Sequence, residues 1–386
     1  MQFHFVAPVH FERWDWRSPD DPGIGGSETA VVELSRRLAD RGHDVTVYAP
    51  IRDDCPESDP GGARWVSVGD THPSPDRFAS ATDGVDYTQP GVWVLSRCPR
   101  VLDEFPVDHP GQRTWLVCQD VFYPPALKDE GLTDERIERL DVCLPLCPAH
   151  ESYMIEVSPK LKGKTRLSSN GVKTDLIEKI EDGVPIRRDP FKLIYTSSPD
   201  RGLPALLRIF QRAREAEPRL TLTAAYGWDN IAKCKGKYWE NVRKDCDELL
   251  AQPGVTWLGR LGQEALYREF LSAGLWVYPS TFTETSCISC MEAQAMGAIP
   301  ITNPLWAVGE NVRHGTFLTG DPANERLCFS QYVGEILRLT GDLDLQRQIR
   351  GPMMAWARKK FDWERIVDQY EEMAAELEPA ELEAVA

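Results

Sequence analysis

The stretch from Leu275 to Ile301, LWVYPSTFTETSCISCMEAQAMGAIPI, constrains the fold of this 386-residue chain more than any other. Leu275-Trp276-Val277, closed by Tyr278-Pro279-Ser280, reads as a short buried strand. Thr283 to Ser286 supply hydroxyls suited to a helix N-cap, and Cys287 to Met296 carry apolar residues at helical spacing. Gly297 stops the helix and Ala298-Ile299-Pro300-Ile301 begins another strand. A helix starting at the carboxyl end of a strand offers unpaired N–H groups and a partial positive charge, which suits phosphate. Glu284 and Glu292 flank that start. Over a helical span they would lie roughly 12 Å apart, a reach that fits a phosphorylated ligand held at both ends.

The same alternation runs through the rest of the chain. Gln2 to Ala7 reads as a strand, followed by a polar segment rich in Pro, Asp and Trp. Gly23-Ile24-Gly25-Gly26-Ser27 then leads into a helix to about Arg41, with Ala30, Val31, Leu34 and Leu38 at helical spacing. Asp44 to Tyr48 is the next strand, which completes a β-loop-α-β unit and predicts a parallel sheet with a ligand at the loop. Further strands are expected at Val92 to Ser96, Thr114 to Cys118, Val142 to Leu146 and Thr165 to Leu167. After a charged, Gly- and Pro-containing linker near 183–190, more follow at Lys192 to Thr196, Leu220 to Ala225 and Val255 to Leu258. The fold class is α/β. The expected domains are residues 1–182 and 191–360, with a final helix, 361–386, crossing back to the first domain and the linker acting as a hinge.

Sixty acidic against 44 basic residues leave a formal charge of −16, which argues against a broad nucleic-acid or anionic-membrane surface. The 10 cysteines form no metal-ligand pattern and read as reduced core thiols. No apolar run approaches a membrane span and Met1 to Pro8 lacks the flanks of a signal peptide, so a cytoplasmic protein without a transmembrane segment is expected.

The TETSCISCMEAQAMG segment resembles the E-x7-E donor site of the family 4 retaining glycosyltransferases, which have two Rossmann-like domains facing across a cleft in the GT-B arrangement. Asn170-Gly171-Val172 is similar to the family's turn before the interdomain linker. Gly25-Gly26-Ser27 is similar to its N-terminal glycine loop, and Arg201 in TSSPDRGLPALL to a basic residue of its phosphate-binding pattern. Thr196 stands where that pattern has its first basic residue, leaving Arg260 or one of Lys233, Lys235 and Lys237 to compensate.

The resemblance implies transfer of a hexose, with retention, from a UDP- or GDP-linked sugar to an unidentified acceptor hydroxyl, with no metal and no other cofactor. Glu284 would take the sugar hydroxyls and Glu292 the ribose hydroxyls, since a carboxylate accepts from a diol. The backbone of Thr285, Ser286 and Cys287 would lie along the diphosphate, gripped from the opposite wall by Arg201. Arg260 and Leu261 would hold the base, and the Gly26 N–H would approach the transferred sugar or the acceptor. On the acceptor side stand His10, Trp14 and Trp16 as aromatic faces, Gln119 and Asp120 at a strand end, and His150; Asp120 would orient the acceptor hydroxyl or take its proton. A sugar-nucleotide 2-epimerase and a catalytically idle sugar-nucleotide-binding subunit are the alternative readings.

Overall fold

The computed structural model describes residues 1–8, 12–68, 84–108, 111–121, 131–228 and 236–376. The chain divides into two compact units. Unit 1 comprises Met1–Arg17, Ile24–Asn170 and Trp363–Ala386; unit 2 comprises Ser18–Gly23 and Gly171–Asp362.

Unit 1 holds six strands: β1 (Gln2–Val6), β2 (Asp44–Ala49), β3 (Arg64–Ser67), β4 (Gly91–Ser96), β5 (Gln112–Cys118) and β6 (Val142–Pro145). They are ordered β3-β2-β1-β4-β5-β6 and every pairing is parallel. Parallel strands are covered on both faces, which is why these segments read as apolar runs without clean alternation. One face packs Phe3, Phe5 and Trp115 against α1 (Gly26–Asp40) and the last helix, α12 (Trp363–Glu376), with the Trp115 and Tyr370 rings 5.6 Å apart. The other packs Val6, Trp93, Leu116 and Cys143 against Met154 of α3 (Pro148–Val157). A short helix, α2 (Asp134–Glu138), is capped by the Thr133 side chain.

Unit 2 repeats the plan with β7 (Asp189–Tyr195), β8 (Thr221–Ala225), β9 (Val255–Gly259), β10 (Ala273–Tyr278), β11 (Ile299–Thr302) and β12 (Thr316–Phe317). Their order is β12-β11-β10-β7-β8-β9, again wholly parallel. Read from the other edge, this is the strand order of unit 1. Around the sheet lie α4 (Thr174–Glu181), α5 (Leu203–Ala216), α6 (Lys237–Leu250), α7 (Gln263–Ser272), α8 (Ile288–Ala295), α9 (Ala307–Asn311), α10 (Arg326–Gly341) and α11 (Leu343–Phe361).

Three expectations are corrected. The chain leaves unit 1 at Asn170, earlier than the expected end at 182, because Ile177 and Ile180 of α4 pack into the core of unit 2. The segment 183–188 therefore joins two elements of one unit, and the chain crosses between units elsewhere, at Arg17, Gly23, Asn170 and Asp362. Thr165 to Leu167 is no strand, since a single bridge, Thr165 to Cys143, ties it to the sheet edge.

Candidate functional site

In a doubly wound sheet the crossovers reverse direction at one point, and the loops leaving the carboxyl ends of the two strands there splay apart to make a crevice. In unit 2 those strands are β7 and β10, in register with Leu193 opposite Leu275 and Ile194 opposite Trp276. The loop after β7 carries Arg201 and the loop after β10 carries Glu284, so sheet pairing brings together residues 83 positions apart. Gly202 makes the fit possible. Its φ is +116°, and a Cβ there would sit 2.7 Å from the Pro279 carbonyl oxygen. Arg201 donates from Nη1 to both Glu284 oxygens, at 3.0 and 3.1 Å, and its guanidinium lies 4.1 Å from the Phe282 ring centre. The Tyr278 hydroxyl donates to Glu284 Oε1 at 2.6 Å, and the Ala307 N–H holds the Glu284 carbonyl at 3.2 Å. Burial disfavours the Arg201 charge, but the neighbouring Glu284 carboxylate outweighs it and the guanidinium stays firmly protonated. Arg201, from the loop after β7, meets Glu284, from the loop after β10, as its ion-pair partner.

The helix start also differs from expectation. α8 opens at Ile288, with Cys287 as its N-cap in the left-handed region (φ 56°) and no side-chain cap. A hydroxyl cap requires extended backbone at that position, so the cap expected from Thr283 to Ser286 does not form. Ser286 is buried instead, its Oγ has no hydrogen-bond partner, and its carbonyl accepts from Asn311 Nδ2 at 2.6 Å. Glu284 lies outside the helix, so the helical separation between the two glutamates does not apply. At the other end of α8 three arginines meet its carbonyls: Arg188 Nη2 donates to Met296 O at 2.6 Å, Arg350 Nε to Gly297 O at 2.9 Å and Arg358 Nε to Ala295 O at 2.9 Å. Cations there complement the helix dipole and leave the positive end at Cys287.

Glu292 is buried on α8, and desolvation pushes its carboxyl up to about 7, against the opposing pull of hydrogen bonds from Tyr267 and Gln263 and the charge of Lys173. Arg260 and Leu261 follow β9 at a turn that begins with Gly259 in the left-handed region (φ +67°). Lys237 is exposed at the start of α6, whereas Lys233 and Lys235 lie outside the described residues.

In unit 1 the reversal falls between β1 and β4. Gly25 is the N-cap of α1 and Gly26 its first residue. The Glu28 carboxylate folds back over this start: Ser27 Oγ donates to it at 3.0 Å, and a Cβ on Gly25 would lie 2.5 Å from it. Arg97, which follows β4 with φ 63°, joins the loops. It donates to both Asp120 oxygens at 2.8 and 3.1 Å and to Ser27 Oγ at 3.1 Å, and lies 3.6 Å from Glu28. Asp120 remains 47% exposed in its side chain. Gln119 and Asn170 exchange two amide hydrogen bonds of 3.1 Å. His150 is buried, which lowers its pKa to about 4 despite the nearby Asp120; it is a neutral ring.

Sequence reasoning missed Arg97. The available signal was its place directly after an apolar strand, where ligand groups of such sheets collect. Trp14 is a correction. It is fully buried, set edge-on to Trp65 at 5.6 Å in the unit 1 core, with its backbone N–H bonded to the Pro50 carbonyl. A tryptophan so covered presents no face to an acceptor. Trp16 is partly buried against the same core, and His10 lies outside the described residues. Among the described residues no three His, Cys, Asp or Glu side chains are grouped to hold a metal ion, and no helix is long and apolar enough to cross a membrane.

Two parallel six-stranded sheets of one strand order, each gathering polar groups at its carboxyl edge, are the architecture of the GT-B glycosyltransferases. Solved structures share it over the whole chain. Sucrose-phosphate synthase from Thermosynechococcus elongatus matches with a TM-score of 0.69 at 16% identity, over 97% of this chain and 98% of that one. HepE of Anabaena, solved with UDP and glucose, matches at 0.67 and 14%, over 98% and 100%. WaaG, a glycosyltransferase involved in lipopolysaccharide biosynthesis, matches at 0.65 and 14%, over 96% and 99%. A search of curated protein sequences finds no match. The sequence profile of Glycosyltransferase Family 4 matches residues 24–108 and that of Glycosyl transferases group 1 matches residues 177–327, together more than half of the chain. The chain belongs to the family 4, group 1 glycosyltransferases.

Proposed function

We propose that the enzyme moves a hexose, with retention, from a UDP- or GDP-linked sugar to an acceptor hydroxyl, without a metal ion. The observation that carries this reading is the Arg201–Glu284 pair beside the amino end of α8, where Ser286 Oγ is buried without a partner. The diphosphate lies along Thr285, Ser286 and Cys287, with Arg201 on its oxygens. Glu284 accepts from the sugar hydroxyls and Glu292 from the ribose diol, and Arg260 and Leu261 border the base. As the bond from the anomeric carbon to phosphate breaks, its electron pair passes to the phosphate oxygen. Arg201 and the helix N–H groups stabilise that charge, which is the term that dominates such transfers. The acceptor oxygen bonds to the same face of the sugar and its proton passes to the departing phosphate, so configuration is kept and no carboxylate nucleophile is needed. In unit 1, Asp120, positioned by Arg97, orients the acceptor, with Gly26, Gln119 and His150 around it.

The complex of HepE with UDP and glucose supports a nucleotide-sugar reading by likeness of fold. A thermal-shift screen of nucleotide sugars, followed by assay of nucleoside diphosphate release from the best donor, tests it. Stabilisation by a donor, with slow donor hydrolysis in wild type and none in Glu284→Ala, is expected. A chain that no nucleotide sugar stabilises would refute the reading.

A further inference from the structure

Ser18–Gly23 belongs to unit 2 although the chain on either side of it belongs to unit 1. The segment is closed on itself by a hydrogen bond from the Gly23 N–H to the Ser18 carbonyl, 3.0 Å, and Ser18, Pro19 and Gly23 are buried. It lies on the turn that follows β9. The Gln263 N–H donates to the Pro19 carbonyl at 3.0 Å, and a Cβ on Gly262 would fall 1.9 Å from the Asp20 carbonyl oxygen. A Cβ on Gly23 would fall 2.2 Å from the Leu261 carbonyl oxygen. Two glycines therefore let two backbones touch, and any larger residue would part them.

The same residues that hold this segment surround Glu292. Gln263 bonds the segment through its backbone and Glu292 through its side chain. The Lys173 ammonium reaches Asp20 at 3.6 Å, while the Lys173 backbone N–H donates to the Tyr267 hydroxyl, itself a partner of Glu292. We propose that Ser18–Gly23 is a strap forming the outer wall of the nucleoside end of the donor site, docked through Gly262 and Gly23 and tightened by a bound nucleotide. The proposal rests on the donor reading above. Binding that favours the docked strap is favoured by it in turn, by reciprocity of linked equilibria.

Gly262 offers a direct probe, because its φ of −66° and ψ of 158° suit alanine and the three atoms nearest an added Cβ all belong to Asp20 of the strap. Calorimetric titration of the full chain with UDP, GDP and ADP identifies the nucleotide bound by wild type. Gly262→Ala should bind that nucleotide about tenfold more weakly and melt below wild type without ligand, since it parts the docked strap. Asp20→Asn, which alters only the pair between the exposed Asp20 carboxylate and the buried Lys173 ammonium, should show a smaller loss. Hydrogen exchange at the Gln263 amide should slow on adding nucleotide to wild type and not in Gly262→Ala. Wild-type affinity in both variants, or no change in Gln263 exchange, overturns the strap alone. A wild-type chain that binds none of the three nucleotides overturns the donor reading, and the strap with it.

Discussion

Arg201 holds both oxygens of Glu284, at 3.0 and 3.1 Å from one guanidinium nitrogen. Without donor, each is the other's partner, so binding is an exchange. In the proposed function the diphosphate would take the guanidinium and the sugar hydroxyls would take the carboxylate, so that neither charge is left buried alone.

That exchange separates binding from turnover. Glu284→Ala frees Arg201, so affinity for free UDP or GDP should hold or rise while transfer is lost. Arg201→Met should weaken nucleotide binding and lower turnover by about 10²–10³, as when one charge-stabilising donor is removed. Arg201→Lys should fall between, because an ammonium lacks the planar fork and its stacking on Phe282. Titration with UDP and GDP beside assay of diphosphate release reads both quantities.

Glu292 should give the donor site its pH dependence. Its carboxyl is raised to about 7 in the fold, from an ordinary value of 4.5. A raised carboxyl contributes stability that is complete below pH 4.5 and lost as pH rises to 7, up to about 3 kcal/mol. Glu292→Gln should remove that slope, so the variant gains on wild type across this window in urea unfolding. In the proposed donor site ribose hydroxyls would bind the ionised form, so wild-type nucleotide affinity should climb through pH 7 and that of Glu292→Gln should stay flat.

Arg97 pairs with Asp120 from a left-handed backbone that costs a bulky residue about 1–2 kcal/mol. Arg97→Met keeps that strain and loses the contacts. Arg97→Asn loses the same contacts but tolerates the backbone. Chemical denaturation should rank wild type first, then Arg97→Asn, then Arg97→Met. Nucleotide affinity should be unchanged in both, since Arg97 belongs to unit 1; a fall in affinity would refute that division of labour.

The arginines behind α8 should matter unequally. Arg188 donates to the carbonyls of Ala273 and Met296 and is largely buried, so that desolvation lowers its pKa to about 10. Arg188→Met should cost about 2 kcal/mol or more, because buried carbonyls lose their donor. Arg358 shares its charge with the partly exposed Glu181, and Arg358→Met should cost about 1 kcal/mol. Equal losses in urea unfolding would contradict the scheme.

The readable elements were those whose apolar runs end in turn residues. β1, β2, β4, β5, β7, β8 and β10 emerge from such runs, and Gly297 announces the end of α8. β3 is four residues, Arg64 to Ser67, too short for a pattern. Trp14 misled because a tryptophan among Pro and Asp reads as a loop aromatic, whereas its loop lies along the end of β2 and drives the ring into the core. The expected hydroxyl cap failed for a similar reason, since the left-handed turn at Cys287 is set by what holds Ser286 and Glu284, namely Asn311 and Ala307.

From sequence alone came the alternation of strand and helix, the class of fold, and the helix between two strands that carries Glu292 and follows Glu284, because each is a local pattern of burial and turn chemistry. Only tertiary structure decided which charges meet. Arg201 reaches Glu284, and Arg97 reaches Asp120, because β10 lies next to β7 and β5 next to β4. Strand adjacency is chosen by packing of the whole sheet, and no short window of residues records it.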